Sequence, residues 1–203
     1  MRTLKHRFNS YLRDEDGLVL AEALFMMPLL IWGLVAMFIY WDVFKTINVT
    51  QKAAYSIADL LSRQKNTIPL AYMNGLQNIM LFLTPNGHPV TMRITSFECV
   101  APTAPNLCDA SAGSYKLLFS TSPQNKTTGL TEANIQKWRG TKIPTLGNGQ
   151  SVFVIETSVA FKAQLQTAIA GLMVGVKDNT FGEFIVTRPR HRRLCLEGTT
   201  TCT

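Results

Sequence analysis

The chain has 203 residues, a formal net charge of +7 and 46% hydrophobic residues. That is enough for one modest domain and an anchor, and too little for two well-filled cores. The basic residues are dispersed except for Arg188, Arg190, His191, Arg192 and Arg193. No recognition helix, zinc finger or aromatic RNA-binding pattern goes with them, which argues against nucleic acid as a partner and for a solvated or partner-facing basic edge.

The first 17 residues are polar, with Arg2, Lys5, Arg7 and Arg13 ahead of the acidic run Asp14-Glu15-Asp16. Residues 18–41 then form an almost uninterrupted apolar block, and 23–41 carry no charge. As a helix this uncharged stretch is about 28 Å long, close to the hydrocarbon thickness of a bilayer. It predicts one membrane span. The basic residues before it favour a cytoplasmic N-terminus, and Tyr40 and Trp41 supply aromatics for the outer interface. A secretory signal would be shorter and end in small residues, whereas this block exits through Tyr40-Trp41-Asp42-Val43-Phe44, so the segment is expected to remain attached.

Glu22 is the anomaly, a carboxylate just inside an apolar helix, where ionisable groups usually have a named partner. A cut after Gly17 would make Leu18 a new N-terminus, with its ammonium about one helical turn from Glu22, at the end where the helix dipole also favours an acid. In an assembly Glu22 would instead reach the ammonium of a neighbouring subunit and set the axial register of packed helices. The plainer reading is a first-turn acid that snorkels to the cytoplasmic headgroups.

The string Asp14-Glu15-Asp16-Gly17-Leu18-Val19-Leu20-Ala21-Glu22 resembles the processing site of type IV prepilins, a polar leader ending in glycine with glutamate fifth after the cut. Glu22-Ala23-Leu24-Phe25-Met26-Met27-Pro28 is similar to the Glu-x-Ala-Leu-x-x-Pro block of TadE-like pseudopilins of the Flp (tight adherence) pilus machinery. The motif covers about 30 residues; beyond it the likeness is one of layout, including the late Thr187-Arg188-Pro189-Arg190. The resemblance implies a substrate of a membrane prepilin peptidase, cleaved between Gly17 and Leu18, with Glu22 and Pro28 serving helix register and assembly. It also implies inner-membrane lipid, other pilins and pseudopilins and the pilus assembly platform as partners. Pro28 is compatible with a span because neighbouring turns absorb the lost hydrogen bond, and Gly33 with Ala36 offers a small face for helix packing.

Beyond Trp41 the helical pattern continues to about Gln64, with Phe44, Ile47, Ala54, Ala58 and Leu61 forming an amphipathic stripe. The whole helix would be roughly 70 Å long. Thr67-Ile68-Pro69 reads as the capped start of a short helix through Tyr72, Leu76, Ile79, Met80 and Leu83, ending at Pro85-Asn86-Gly87. Strand character follows at 90–100, 115–120, 151–161 and 181–187, with imperfect alternation around Val154. Residues 121–150 are a long polar connection with one helical turn set near 131–139, either mobile or a contact surface. The apolar run 168–176 is too short to cross a bilayer and reads as a buried helix or turn.

The four cysteines, Cys99, Cys108, Cys195 and Cys202, allow three pairings, of which 99 with 108 and 195 with 202 is the local one; free buried thiols are the other reading. Outside the cytoplasm disulfides persist. No metal-ligand spacing, serine elbow, phosphate loop or close acidic pair occurs, so neither an enzyme nor a cofactor is expected.

The expected architecture is α+β: a leader over 1–17, a transmembrane helix over 18–41, its periplasmic continuation over 42–66, and a periplasmic head over 67–203 with a small antiparallel sheet, pilin-like in layout. The expected function is that of a minor pseudopilin in Flp pilus assembly or a related secretion apparatus. The alternative is an unprocessed single-span envelope protein with a binding or sensing head.

Overall fold

A computed structural model describes residues 16–109, 111–162 and 179–199, with side chains in the first helix described from Ala21 onward. The fold is α+β. Among the described residues it contains a long apolar helix α1 (Asp16–Ser62), a second helix α2 (Leu70–Leu83), a short α3 (Glu132–Gln136) and six strands. These are β1 (Val90–Val100), β2 (Leu107–Cys108), β3 (Ser114–Thr121), β4 (Leu146–Gly147), β5 (Ser151–Phe161) and β6 (Asn179–Thr187).

The described residues divide into two compact units, one holding 16–43, the other 44–109, 111–162 and 179–199. In the second unit a four-stranded antiparallel sheet runs in the order β3-β1-β5-β6. Ile94 lies opposite Ile155 and Met92 opposite Thr157, so side chains of this parity share one face. That face carries Val90, Met92, Ile94, Phe153, Ile155, Val159 and Ile185, and packs with Ala53, Ala54, Ile57, Ala58 and Leu61 of α1 and Met73, Leu76 and Met80 of α2 in one buried cluster. The helical stripe is therefore Thr46, Thr50, Ala53, Ala54, Ile57, Ala58 and Leu61. Phe44, expected in it, is 61% exposed; Thr46, two residues on, lies on the buried side in its place.

The opposite face is covered over half its length. Phe97, Val152 and Val154 pack there with Ile135, Ile143 and Leu146 and with the Cys99–Cys108 disulfide, all carried by the excursion between β1 and β5. The imperfect alternation of β5 follows from this. Val152, Phe153, Val154 and Ile155 are buried in succession because the strand is covered on both faces there, and alternation returns at Glu156 and Ser158 where one face is bare. Gly113 lets the excursion close. Its φ is +75°, and an added Cβ would stand 2.6 Å from Cys108 Sγ and 2.8 Å from the Leu107 carbonyl oxygen.

The edge of β3 is guarded by α3. Glu132 accepts from the Leu117 amide at 3.0 Å, and Gln136 donates to the Tyr115 carbonyl at 2.8 Å. The polar connection 121–150 is thus a lid on the sheet, tied down at defined points.

The start of α2 departs from expectation. Its N-cap is Pro69, with no side-chain cap hydrogen bond, and Thr67 caps nothing. The reason lies downstream: the Ile68 amide donates to the Cys195 carbonyl and the Glu197 amide donates to Ile68, each at 2.9 Å. This parallel bridge to Leu196 holds residue 68 extended, so the helix starts later.

Candidate functional site

Two regions carry features beyond the packing of the sheet. The first is the apolar part of α1. Ala, Leu, Ile, Met and Phe dominate it, and one proline, Pro28, sits inside the helix without ending it. Among the described residues α1 is the one helix long and apolar enough to cross a membrane. Leu24, Phe25, Met26, Met27, Leu29, Leu30, Met37, Phe38 and Trp41 are exposed, Phe25 by 76%. A soluble helix with this composition would be buried on most sides, and this exposed surface suits an apolar environment. Glu22 is exposed at its start, and Gly17 and Leu18 lie in the first turns of the same helix. No atom of Gly33's surroundings comes within 4 Å of where a Cβ would be, so the small face proposed there is open.

The second region is the end of the head where the basic tail returns. The Arg190 amide donates to the Ser62 carbonyl at 2.9 Å, which caps the end of α1. Arg190 also pairs with Asp59 at 2.7 Å, and Arg193 with Glu98 at 3.1 Å. Leu194 is buried in the helix-side core, and its carbonyl accepts from Ser96 Oγ at 2.9 Å. The basic run read as a solvated edge is thus partly a clasp: Arg190 and Arg193 are committed inside the chain, while Arg192 remains exposed. Arg192, Arg193 and Cys195 line one side of a concavity of about 660 Å³ whose other side is Lys65, Asn66 and Thr67.

A smaller cleft of about 320 Å³ lies over the bare half of the sheet, between Thr91, Arg93, Glu156, Ser158 and Phe184. Arg93 and Glu156 face each other across β1 and β5 and pair at 2.7 Å, and Lys142 stands 5.1 Å over the Phe184 ring. The Arg93–Glu156 pair in it is matched internally, which leaves those two charges little to offer a ligand.

Cys99 and Cys108 form a disulfide. Cys195 is disulfide-bonded as well; Cys202, its expected partner, lies outside the described residues, as does the apolar run 168–176. Beside the first disulfide, Asp109 is held below its ordinary value of 3.8 by the Ser111 amide, the Ser111 hydroxyl and the Ala112 amide, which all donate to it. Tyr115 is pushed up by burial. Among the described residues no group of three or more His, Cys, Asp or Glu side chains could hold a metal ion.

The disulfide candidates 99 and 108 are therefore brought together, whereas Glu22 and Pro28 remain on an open helix surface. Sequence reasoning missed Lys65, Asn66 and Thr67 as one wall of a basic concavity. The only signal was the arginine-rich run 130 residues further on, and nothing local connects the two. No known family, curated protein or solved structure matches the chain.

Proposed function

We propose that this chain is a membrane-anchored assembly subunit, a minor TadE-like pseudopilin of a Flp-type pilus or a related secretion apparatus, and not an enzyme. α1 crosses the bacterial inner membrane with residues 1–17 in the cytoplasm and the head in the periplasm. Prepilin peptidase cuts after Gly17, and the new Leu18 ammonium neutralises Glu22, its own or a neighbour's. The observation that carries this reading is the position of Glu22: one exposed carboxylate at the head of an uncharged, outward-facing apolar helix, five residues after a glycine that ends a charged leader. An unneutralised charge at mid-bilayer costs roughly 2.5–3.5 kcal/mol even on a lenient scale, so a nearby amine is a specific remedy. The exposed side chains of 24–41 supply packing against lipid and other pilin helices, and the head supplies contacts to the assembly platform.

Mass spectrometry of the membrane-extracted protein tests the reading. A mature chain beginning at Leu18 in cells with the peptidase, and at Met1 without it, is expected. A Glu22→Ala change is expected to spare insertion and cleavage and to reduce piliation; unchanged piliation would count against the register role.

One observation favours the second reading, an unprocessed single-span envelope protein with a binding head. α1 already includes Asp16 and Gly17, so the cut falls within a helical turn that must open before a protease can act. A Met1 N-terminus in the presence of active peptidase would select this alternative.

A further inference from the structure

The concavity between residues 65–67 and 192–195 is built by the fold and not by a flexible tail. Its two walls are held together at one end by a parallel bridge, the paired hydrogen bonds of Ile68 with Cys195 and Glu197. Leu194 anchors one wall in the core, Cys195 is fixed by a disulfide, and Ile68 is buried in the other.

The charge around it is unbalanced in a particular way. Asp59 takes both Arg63 and Arg190, at 2.9 and 2.7 Å, and Glu98 takes Arg193. Among the described residues Lys65, Asn66, Thr67 and Arg192 form no side-chain hydrogen bond or ion pair, and no carboxylate lines the concavity. Glu197, two residues beyond Cys195, is exposed and does not line it. Two cations, an amide and a hydroxyl thus line one volume with no carboxylate among its described lining residues.

We propose that this concavity is a docking site for a short acidic peptide segment of a partner protein. The volume, about 660 Å³, fits a ligand of several residues better than a single oxyanion. Donors come from both of the segments that line it, Lys65 to Thr67 and Arg192, which suits a chain carrying carboxylates in succession. Arginine and lysine together bind such groups through forked and point-charge contacts. No aromatic ring lines the trough, so it lacks the stacking surface on which single-stranded nucleic acid binding relies. The proposal stands apart from processing at Gly17 and from membrane insertion.

Fluorescence anisotropy on the full-length protein in non-ionic detergent tests it, with a short fluorescein-labelled peptide of alternating Asp and Glu as probe. Saturable, salt-sensitive binding is expected. The Lys65→Gln/Arg192→Gln double variant is expected to weaken it about tenfold, from two lost exposed charge pairs. Lys126→Gln/Lys137→Gln removes the same charge from exposed positions elsewhere in the head and is expected to change binding less than about twofold. Absence of binding, equal loss in the two variants, or equal affinity for an oligothymidylate of the same charge would each overturn the assignment. Thermal melts of both variants that match the parent protein keep the comparison one of binding and not of folding.

Discussion

Replacing Cys99 and Cys108 together by alanine removes the bond within the lobe that covers half of the outer sheet face. The two residues are nine apart in sequence, so the closed loop is short. In the chain-entropy account a loop of this size restrains the unfolded state by about 2.7 kcal/mol at 25 °C. Both sulfurs are buried among Phe97, Tyr115, Ile135 and Leu146, so lost packing adds to this figure. For a protein of this size each kcal/mol corresponds to about 2–4 °C, which gives a drop in melting temperature of at least ~5–10 °C. Circular dichroism of the full chain in detergent reads it. The Cys195 disulfide provides an internal control, because it survives in the double variant and reductant should lower the melting temperature further. A double variant that melts within about 1 °C of the parent would refute the reasoning, since neither the loop restraint nor the packing would then matter.

Leu194→Ala should cost about 2–5 kcal/mol, because the side chain is 2% exposed in the helix-side core; urea unfolding measures this. Arg190→Ala, which removes an exposed pair with Asp59, should cost no more than about 1 kcal/mol in the same assay. Gly113→Ala should destabilise by at least ~1–2 kcal/mol from its left-handed backbone alone, with the contact to Cys108 Sγ added, and loss of soluble protein or a clear fall in urea midpoint would register it. Asp109 sits below its ordinary value in the folded state, so its contribution is present above about pH 4 and is lost as the pH falls through its folded value. Stability between pH 5 and pH 2 should therefore fall less steeply in Asp109→Ala than in the parent.

The regular elements were legible where one pattern dominated. Residues 18–64 read as one helix because no glycine or proline interrupts 42–64, and α1 ends at Ser62. β1 and β5 were legible to the residue, since Pro89 and Gly149 stand just before them. The two-residue ladder of β2 with β4 was not, because two residues carry no periodicity. The α2 cap was misread because the competing partner of Ile68 lies at Cys195, far along the chain. The local pairing of Cys99 with Cys108 was one of three that the sequence allowed, and the β1 hairpin excursion brings the two together. Of the candidate functional residues, Gly17 and Glu22 were visible as a motif. The basic concavity was not, since a trough made by two distant segments leaves no trace in either.

The clasp between the tail and the first helix sets an order of events during synthesis. The stripe of α1 from Ala53 to Leu61 leaves the ribosome well before Leu194, which closes over it and lies about 130 residues further along the chain. At ~5–20 residues per second the delay is on the order of ten seconds. For that interval the nascent head carries an open apolar flank, a surface that a holding chaperone would bind until the closing segment arrives.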